Sequence, residues 1–248
     1  MSKRNKQELT LVAIQPNFIP WRGYFDLIDD ADICVLLDDV QYTHRDWRNR
    51  NKLKGSNGSF WVTVPVSKNV TRSTLIMDTK INYSQDWIQT QLVTIEQLYS
   101  KCPHFTKYYN RYSEILHSRP TTICDLDTTL ITWLCTELGI TTKLLKASTL
   151  GARPNKADGI LYLVKQLDAT RYISGPAASS YLKQSDFETI RVLLLYKCYD
   201  YEPYPQRFPP FDSAVSVLDL LFNCGTNSRQ HLKSLTPPKT ADQLNMES

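Results

Sequence analysis

No C-x-x-C pair occurs in this chain, although it carries six cysteines. Cys34, Cys102, Cys124, Cys135, Cys198 and Cys224 stand apart, most of them inside apolar runs. That spacing argues against a zinc site and against a small disulfide scaffold, and it predicts reduced core thiols and no bound metal. There is no G-x-S-x-G elbow and no Walker A glycine loop, which removes the α/β-hydrolases and the P-loop NTPases. No apolar run approaches the ~20 residues of a membrane span, and no apolar leader opens the chain, so a cytoplasmic protein without a membrane span is expected. Charge of one sign is also scarce: the net balance is only +4. That falls short of a nucleic-acid footprint but suits a small anionic ligand.

What is present is ordinary in bulk and unusual in places. The 248 residues, 42% hydrophobic and 22% charged, suit one large globular domain. Aromatics reach 11%, with 14 Tyr and 5 Trp. Such side chains fill cores, and they also line pockets for planar or sugar-like ligands.

Hydrophobic patterning alternates strand with helix. LTLVAIQP (9 to 16) reads as a buried strand, GYFDLIDDAD (23 to 32) as a helix and ICVLLDD (33 to 39) as a second strand, the size of one βαβ unit. SFWVTVPVS (59 to 67) reads as a hairpin arm whose expected partner is STLIMDTKI (73 to 81). Residues 84 to 118 carry two helical stripes broken at Pro103. Alternation then resumes, with helices over 123 to 139, NKADGILYLVKQLD, SSYLKQSDFETI and 212 to 225. Asp125 or Asp127 falls near the start of the first of these, and Asp212 or Ser213 is expected to cap the last. Strands are expected at ITTKLLKAS, TRYISG and RVLLLYKCYDYE. The pattern predicts an α/β fold: a Rossmann-like, mostly parallel sheet with helices on both faces, plus a small hairpin and helical insertion at about 59 to 118. A single domain over 9 to 225 is followed by a polar tail, 226 to 248.

Ligands of such sheets bind beyond the C-terminal ends of the strands. Polar clusters fall there: Gln15-Pro16-Asn17, Asp38-Asp39-Val40-Gln41 and Ser174-Gly175-Pro176. The densest stretch is DDVQYTHRDWRNRNK, 38 to 52. Asp38 and Asp39 point to opposite faces of extended backbone, so one of them at most enters a given pocket, as a general base or as a loop cap. His44 is the candidate acid-base of the residue type that titrates near neutrality. Arg45, Arg48 and Arg50, with Lys52, are candidate phosphate binders, since guanidinium forks match oxyanions. Asn49 and Asn51 add neutral donors and acceptors. Gln15 and Gln41 flank the first two strand ends, and Tyr24, Tyr42 and Trp47 could stack on a base or sugar. Ser174 and Gly175 offer backbone N–H groups to a phosphate. Tyr204 and Gln206, in YPQRF, could wall the site. For each of these residues, ordinary packing is the competing role.

The segments AIQPNFIPWRGYFDLI, DDVQYTHRDWRNRNK, WVTVPV, YISGPAASSYL and YPQRFPPFDSAVSVLDLLFNCG closely resemble the WbqC-like family of bacterial proteins, over about residues 11 to 225. That family is associated with lipopolysaccharide and O-antigen gene sets. The resemblance implies a role in making or decorating surface sugars; taken with the strand-end polar clusters and the mixture of basic and aromatic residues, the expectation is an enzyme that transfers an acyl or aminoacyl group to a nucleotide-linked amino sugar. An activated acyl donor would then be the co-substrate, no tightly held cofactor is assigned, and a homo-oligomer is compatible. A weaker likeness links QPNFIPWRGY and YISGPAA to nucleotidylyltransferases, but their histidine pair is absent: Trp21 and Tyr24 stand near those positions. An ATP-using nucleotidylyltransferase- or ligase-like enzyme and a non-catalytic binding module are the alternatives.

Overall fold

The computed structural model describes residues 8–246. Along the chain run β1 (Thr10–Ile14), α1 (Arg22–Asp29), β2 (Ile33–Leu36), β3 (Arg50–Gly55), β4 (Gly58–Thr63), α2 (Trp87–Tyr99), α3 (Phe105–His117) and α4 (Ile123–Glu137). They are followed by β5 (Lys143–Lys146), α5 (Lys156–Gln166), β6 (Arg171–Ser174), α6 (Gln184–Thr189), β7 (Leu193–Tyr196), α7 (Val217–Cys224) and α8 (Ala241–Asn245).

Five strands form one parallel sheet in the order β5-β2-β1-β6-β7. The chain enters at the central strand, steps outward to β2 and β5, then returns to the other side of β1 with β6 and β7. The order therefore reverses between β1 and β6, the topological switch point of a doubly wound sheet. Strand side chains alternate between two cores, as the period of two demands. Val12, Cys34 and Ile173 face one core, shared with α1, α3, α4 and α7. Leu11, Val35 and Tyr172 face the other, shared with α5 and Phe187 of α6. The expected α/β sheet with helices on both faces is the fold observed.

Three local expectations are corrected. The arm at 59 to 67 meets 73 to 81 only at a single antiparallel bridge, Val66↔Ile81; its ladder is with β3, antiparallel from Arg50↔Thr63 to Gly55↔Gly58. The two-residue connection Ser56-Asn57 leads into Gly58, whose φ of +109° glycine alone adopts freely, and this local closure beats pairing across a longer loop. Residues 76 to 78 form a 3-10 turn instead. The last long helix starts at Val217, capped by Ser216 rather than by Asp212 or Ser213, because Ser216 Oγ accepts from Leu218 N–H. SSYLKQSDFETI is split: a 3-10 turn covers Pro176–Ser180, and α6 begins only at Gln184.

The end of the chain is tied down. Leu232 is fully buried, and Lys239 exchanges both backbone hydrogen bonds with Tyr196, covering the edge of β7. All six cysteines are free thiols and five are buried. Burial pushes the Cys135 thiol up to about 12 and those of Cys102, Cys124 and Cys224 up to about 11, so they stay protonated.

Candidate functional site at the C-terminal edge of the sheet

The dense stretch after β2 grips the loop that leaves β1. Phe18 N–H donates to the Trp47 carbonyl at 2.9 Å. Arg48 Nη1 donates to Asn17 Oδ1 at 2.8 Å and also bonds Gln15 Oε1. Arg48 Nη2 meets Asp46 at 2.8 Å. Asn51 Nδ2 donates to the Phe18 and Ile19 carbonyls at 3.1 and 3.0 Å. Ile19 is held at φ +36°, a costly conformation for a β-branched residue, between Pro16 and Pro20. Burial opposes ionisation of Asp46, but hydrogen bonds from Thr43 and Arg48 outweigh it and hold the carboxyl below its usual range.

Two cavities flank this clasp. The larger is a crevice of about 790 Å³ at the ends of β2 and β5. Asp39 and Gln41 line it from one side, Arg153 and Lys156 from another, and Arg72 and Tyr181 close it. Arg153 pairs with Asp39 at 2.6 Å, with only 5% of the arginine side chain exposed. Arg72 and Lys156 form no ion pair among the described residues. The smaller cavity, about 320 Å³, is bounded by Trp21, Trp47, Pro20, Asn17, Asn51 and Ala214. Trp21 continues into an aromatic group, 5.0 Å from Tyr199 and 6.0 Å from Tyr201.

The match to known proteins follows this geometry. The model of the WbqC-like protein family matches residues 15–231, spanning the clasp, both cavities and α7. The chain belongs to the WbqC-like family. The uncharacterised protein Rv1507c of Mycobacterium tuberculosis (strain ATCC 25618 / H37Rv) is 38% identical over 225 residues, 90% of this chain and 97% of its own length. No solved structure matches.

In this WbqC-like chain the residues singled out from sequence fall into three groups. Asp39, Gln41, Trp47 and Asn51 line the cavities. His44 and Arg45 are exposed on the outer loop, with His44 against the Tyr42 ring at 5.3 Å. Most of the others are buried, while Gln15, Arg50, Gly175 and Gln206 are half-buried. Asp38 is 1% exposed and accepts from Ser148 N–H at 2.9 Å and Ser148 Oγ at 2.6 Å, so it organises the loop after β5 and faces neither cavity. Tyr24 is buried and donates to the Gln15 carbonyl, and Asn49 donates to the Val64 carbonyl. Arg50 lies over the Trp61 ring at 4.2 Å. Tyr204 and Gln206 both donate to buried Asp219, which Tyr99 also reaches. Burial raises the Asp219 carboxyl, and those three donors pull it back. Ser174 is buried and its carbonyl accepts from Lys197 N–H, while Gly175 follows it at the end of β6. The ends of β2, β1 and β6 thus lie side by side, but Asp38 and Ser174 do not open into a common cleft.

Arg72, Arg153, Lys156 and Tyr181 were missed. STLGARPNK follows the strand KLLK, so the strand-end rule that marked the other clusters also covered Arg153 and Lys156. Arg72 carried no sequence signal. Asp127 on α4 was read only as a cap candidate, whereas Thr122 caps that helix. Asp127 is fully buried, and neither carboxyl oxygen has a hydrogen-bond partner. Burial holds its carboxyl well above the usual range, with Arg48 opposing. The buried Tyr42 hydroxyl is pushed up to about 12 by burial and by Asp127, again against Arg48.

Proposed function

We propose that this protein is an enzyme of bacterial surface-polysaccharide biosynthesis that transfers an acyl group to a nucleotide-linked amino sugar. The observation that carries the reading is the crevice at the C-terminal edge of the sheet. There Arg72 and Lys156, without anionic partners among the described residues, join the Arg153–Asp39 pair around about 790 Å³. Unpaired cations in such a crevice suit a diphosphate, and the volume suits a nucleotide-sized ligand. Gln41 and Tyr181 supply further polar contact and an exposed ring.

In this scheme the sugar amine attacks the acyl carbonyl, the donor's leaving group departs, and a base takes the proton lost by nitrogen. Asp39 is the carboxylate that faces the crevice, so the role of base falls to it. Arg153 orients that carboxylate.

Incubation with acyl-coenzyme A donors and UDP-, dTDP- and GDP-linked amino sugars, read by mass spectrometry, tests the scheme. An acyl mass gain on the sugar nucleotide, lost in Asp39→Asn while binding persists, is the expected result. Sugar-nucleotide binding without any mass gain across the panel would remove the transfer reaction. Absence of binding would remove the substrate assignment as well.

A further inference from the structure

Four of the five tryptophans border two cavities that meet at the Trp47–Trp61 pair, Trp87 being largely buried at 7% exposure. Trp21 and Trp47 bound the smaller cavity beside the clasp. Trp61 and Trp87 bound another cavity, about 330 Å³, between β4 and the start of α2. The Trp47 and Trp61 rings join the two, with centroids 5.2 Å apart. These two indoles are each 41% exposed, Trp47 in the loop before β3 and Trp61 on the outward face of β4. An indole left half in water on an ordered surface forgoes burial that would have favoured folding.

The groups between the rings are chiefly neutral hydrogen-bonding ones. Thr63, Gln85, Thr90 and Thr94 line the outer cavity, and Asn17 and Asn51 the inner. Two cations stand at the junction: Arg50 stacks over Trp61 at 4.2 Å and Lys52 at 5.3 Å, and neither side chain has an ion-pair partner among the described residues. Asp86 is the one carboxylate of the outer cavity, and it is engaged in capping α2.

A polymer fits this surface if it alternates apolar faces with hydroxyl edges and carries negative charge. We infer that the Trp21–Trp47–Trp61–Trp87 line is the seat of an extended acidic oligosaccharide, running from the clasp out across the β3–β4 hairpin, with an anionic substituent at Arg50 and Lys52. Sugar rings present C–H faces to indoles and hydroxyls to amides and threonines. The inference rests on the proposed sugar chemistry and deepens it: the amino sugar's partner, or its own continuation, is a chain of several residues rather than one sugar.

Isothermal titration of the full chain with oligogalacturonates and neutral chito-oligosaccharides of one to six residues tests it. Affinity should rise with length through at least three residues, with the acidic series ahead of the neutral one. Trp61→Ala and Trp47→Ala should each cost the longer acidic ligands tenfold or more and leave the monosaccharides unchanged. Arg50→Ala, which spares both rings, should erase the preference for the acidic series. Circular dichroism checks that each variant is folded. Binding of UDP-linked amino sugars is measured on the same variants. If it persists while no oligosaccharide shows a length effect, the extended site is refuted and the crevice reading stands. If both vanish from the wild-type chain, the sugar reading fails with it. A single-stranded oligonucleotide binding more tightly than either series, or a dimer lost in Trp47→Ala, would assign the surface to a different occupant and overturn the inference.

Discussion

Arg153 spans the crevice mouth to meet Asp39 at 2.6 Å, and its guanidinium lies against the bare backbone of Gly159 in α5. A Cβ at position 159 would sit 2.3 Å from the Pro154 carbonyl oxygen and 2.5 Å from Arg153 Nη1. A glycine that reads in sequence as a weak point of a helix is therefore what lets the arginine and the chain before it pack down.

Gly159→Ala should accordingly destabilise the protein by about 1–3 kcal/mol, as overpacking does. Helix propensity alone predicts the opposite sign, a gain of roughly 1 kcal/mol. Urea denaturation separates the two. Calorimetry on the same variant should show weaker binding of a sugar nucleotide, because Arg153 is displaced. A more stable variant with unchanged binding would mean that the contact is slack.

Asp38→Asn should lower stability by about 1–3 kcal/mol, since an amide replaces one of two acceptors facing the Ser148 N–H and hydroxyl. Ser148→Ala should do the same to a similar degree. Asp39→Asn should instead abolish acyl transfer, because it removes the proposed base; it also takes the charged partner from the largely buried Arg153, so stability falls by about 1–3 kcal/mol as well and activity is the readout that separates the two variants. Equal effects of the two asparagines on both readouts would erase the distinction drawn between them.

Asp127 makes stability depend on pH. Its folded carboxyl is raised by burial above its unfolded value, so the folded state binds the proton more tightly. Stability is then fullest below the unfolded value, near pH 4, and is lost as pH rises toward the folded one. Asp127→Asn removes this loss. The variant should be more stable than the parent at pH 8, on the order of 1–3 kcal/mol, with the gap closing toward pH 4. Denaturation series at pH 4, 6 and 8 read the slope, and a gap independent of pH would refute the assignment.

Lys197 is 2% exposed and meets Asp26 at 2.7 Å and Asp30 at 2.6 Å. Lys197→Met would leave the fully buried Asp26 carboxylate of α1 with the Tyr201 hydroxyl, the Ser234 N–H and only the more distant Lys233 at 3.5 Å, at a cost of about 3 kcal/mol. Lys233, which is 42% exposed and reaches Asp29 and Asp30, should contribute no more than about 1 kcal/mol when changed to Met. Thermal melts of both variants, repeated in 1 M salt, test the contrast, since salt screens the exposed pair and hardly touches the buried one.

Residues 11 to 14, 33 to 36 and 171 to 174 were readable as strands because short apolar runs stop at proline, aspartate and glycine, and the helices between them carry their own period. The hairpin was half read. Its second arm is an obvious β run, but its first, RNRNKLKG, is too basic to read as a strand. What makes it one is its partner and its neighbours: Trp61 covers Arg50 and Lys52, and Leu53 goes into the core. The same basic stretch read as a phosphate loop for the same reason, because charge density in sequence does not say which guanidinium is already engaged.

The sequence by itself determined the α/β alternation, the parallel sheet and the strand ends as the place for a site. Those follow from periodicity and from chain connectivity, which are local or nearly so. Tertiary structure alone decided which polar residues open onto a cavity. Asp38 and Asp39 are chemically identical neighbours, yet one is spent on Ser148 and the other opens onto the crevice. Arg48 is consumed by Gln15, Asn17 and Asp46, while Arg72, from a loop without any signal, is left unpaired. The reason is physical: a buried polar group must find a partner, and apart from Asp46, two positions from Arg48, those partners stand 31 to 110 positions away, where no pattern in the chain can register them.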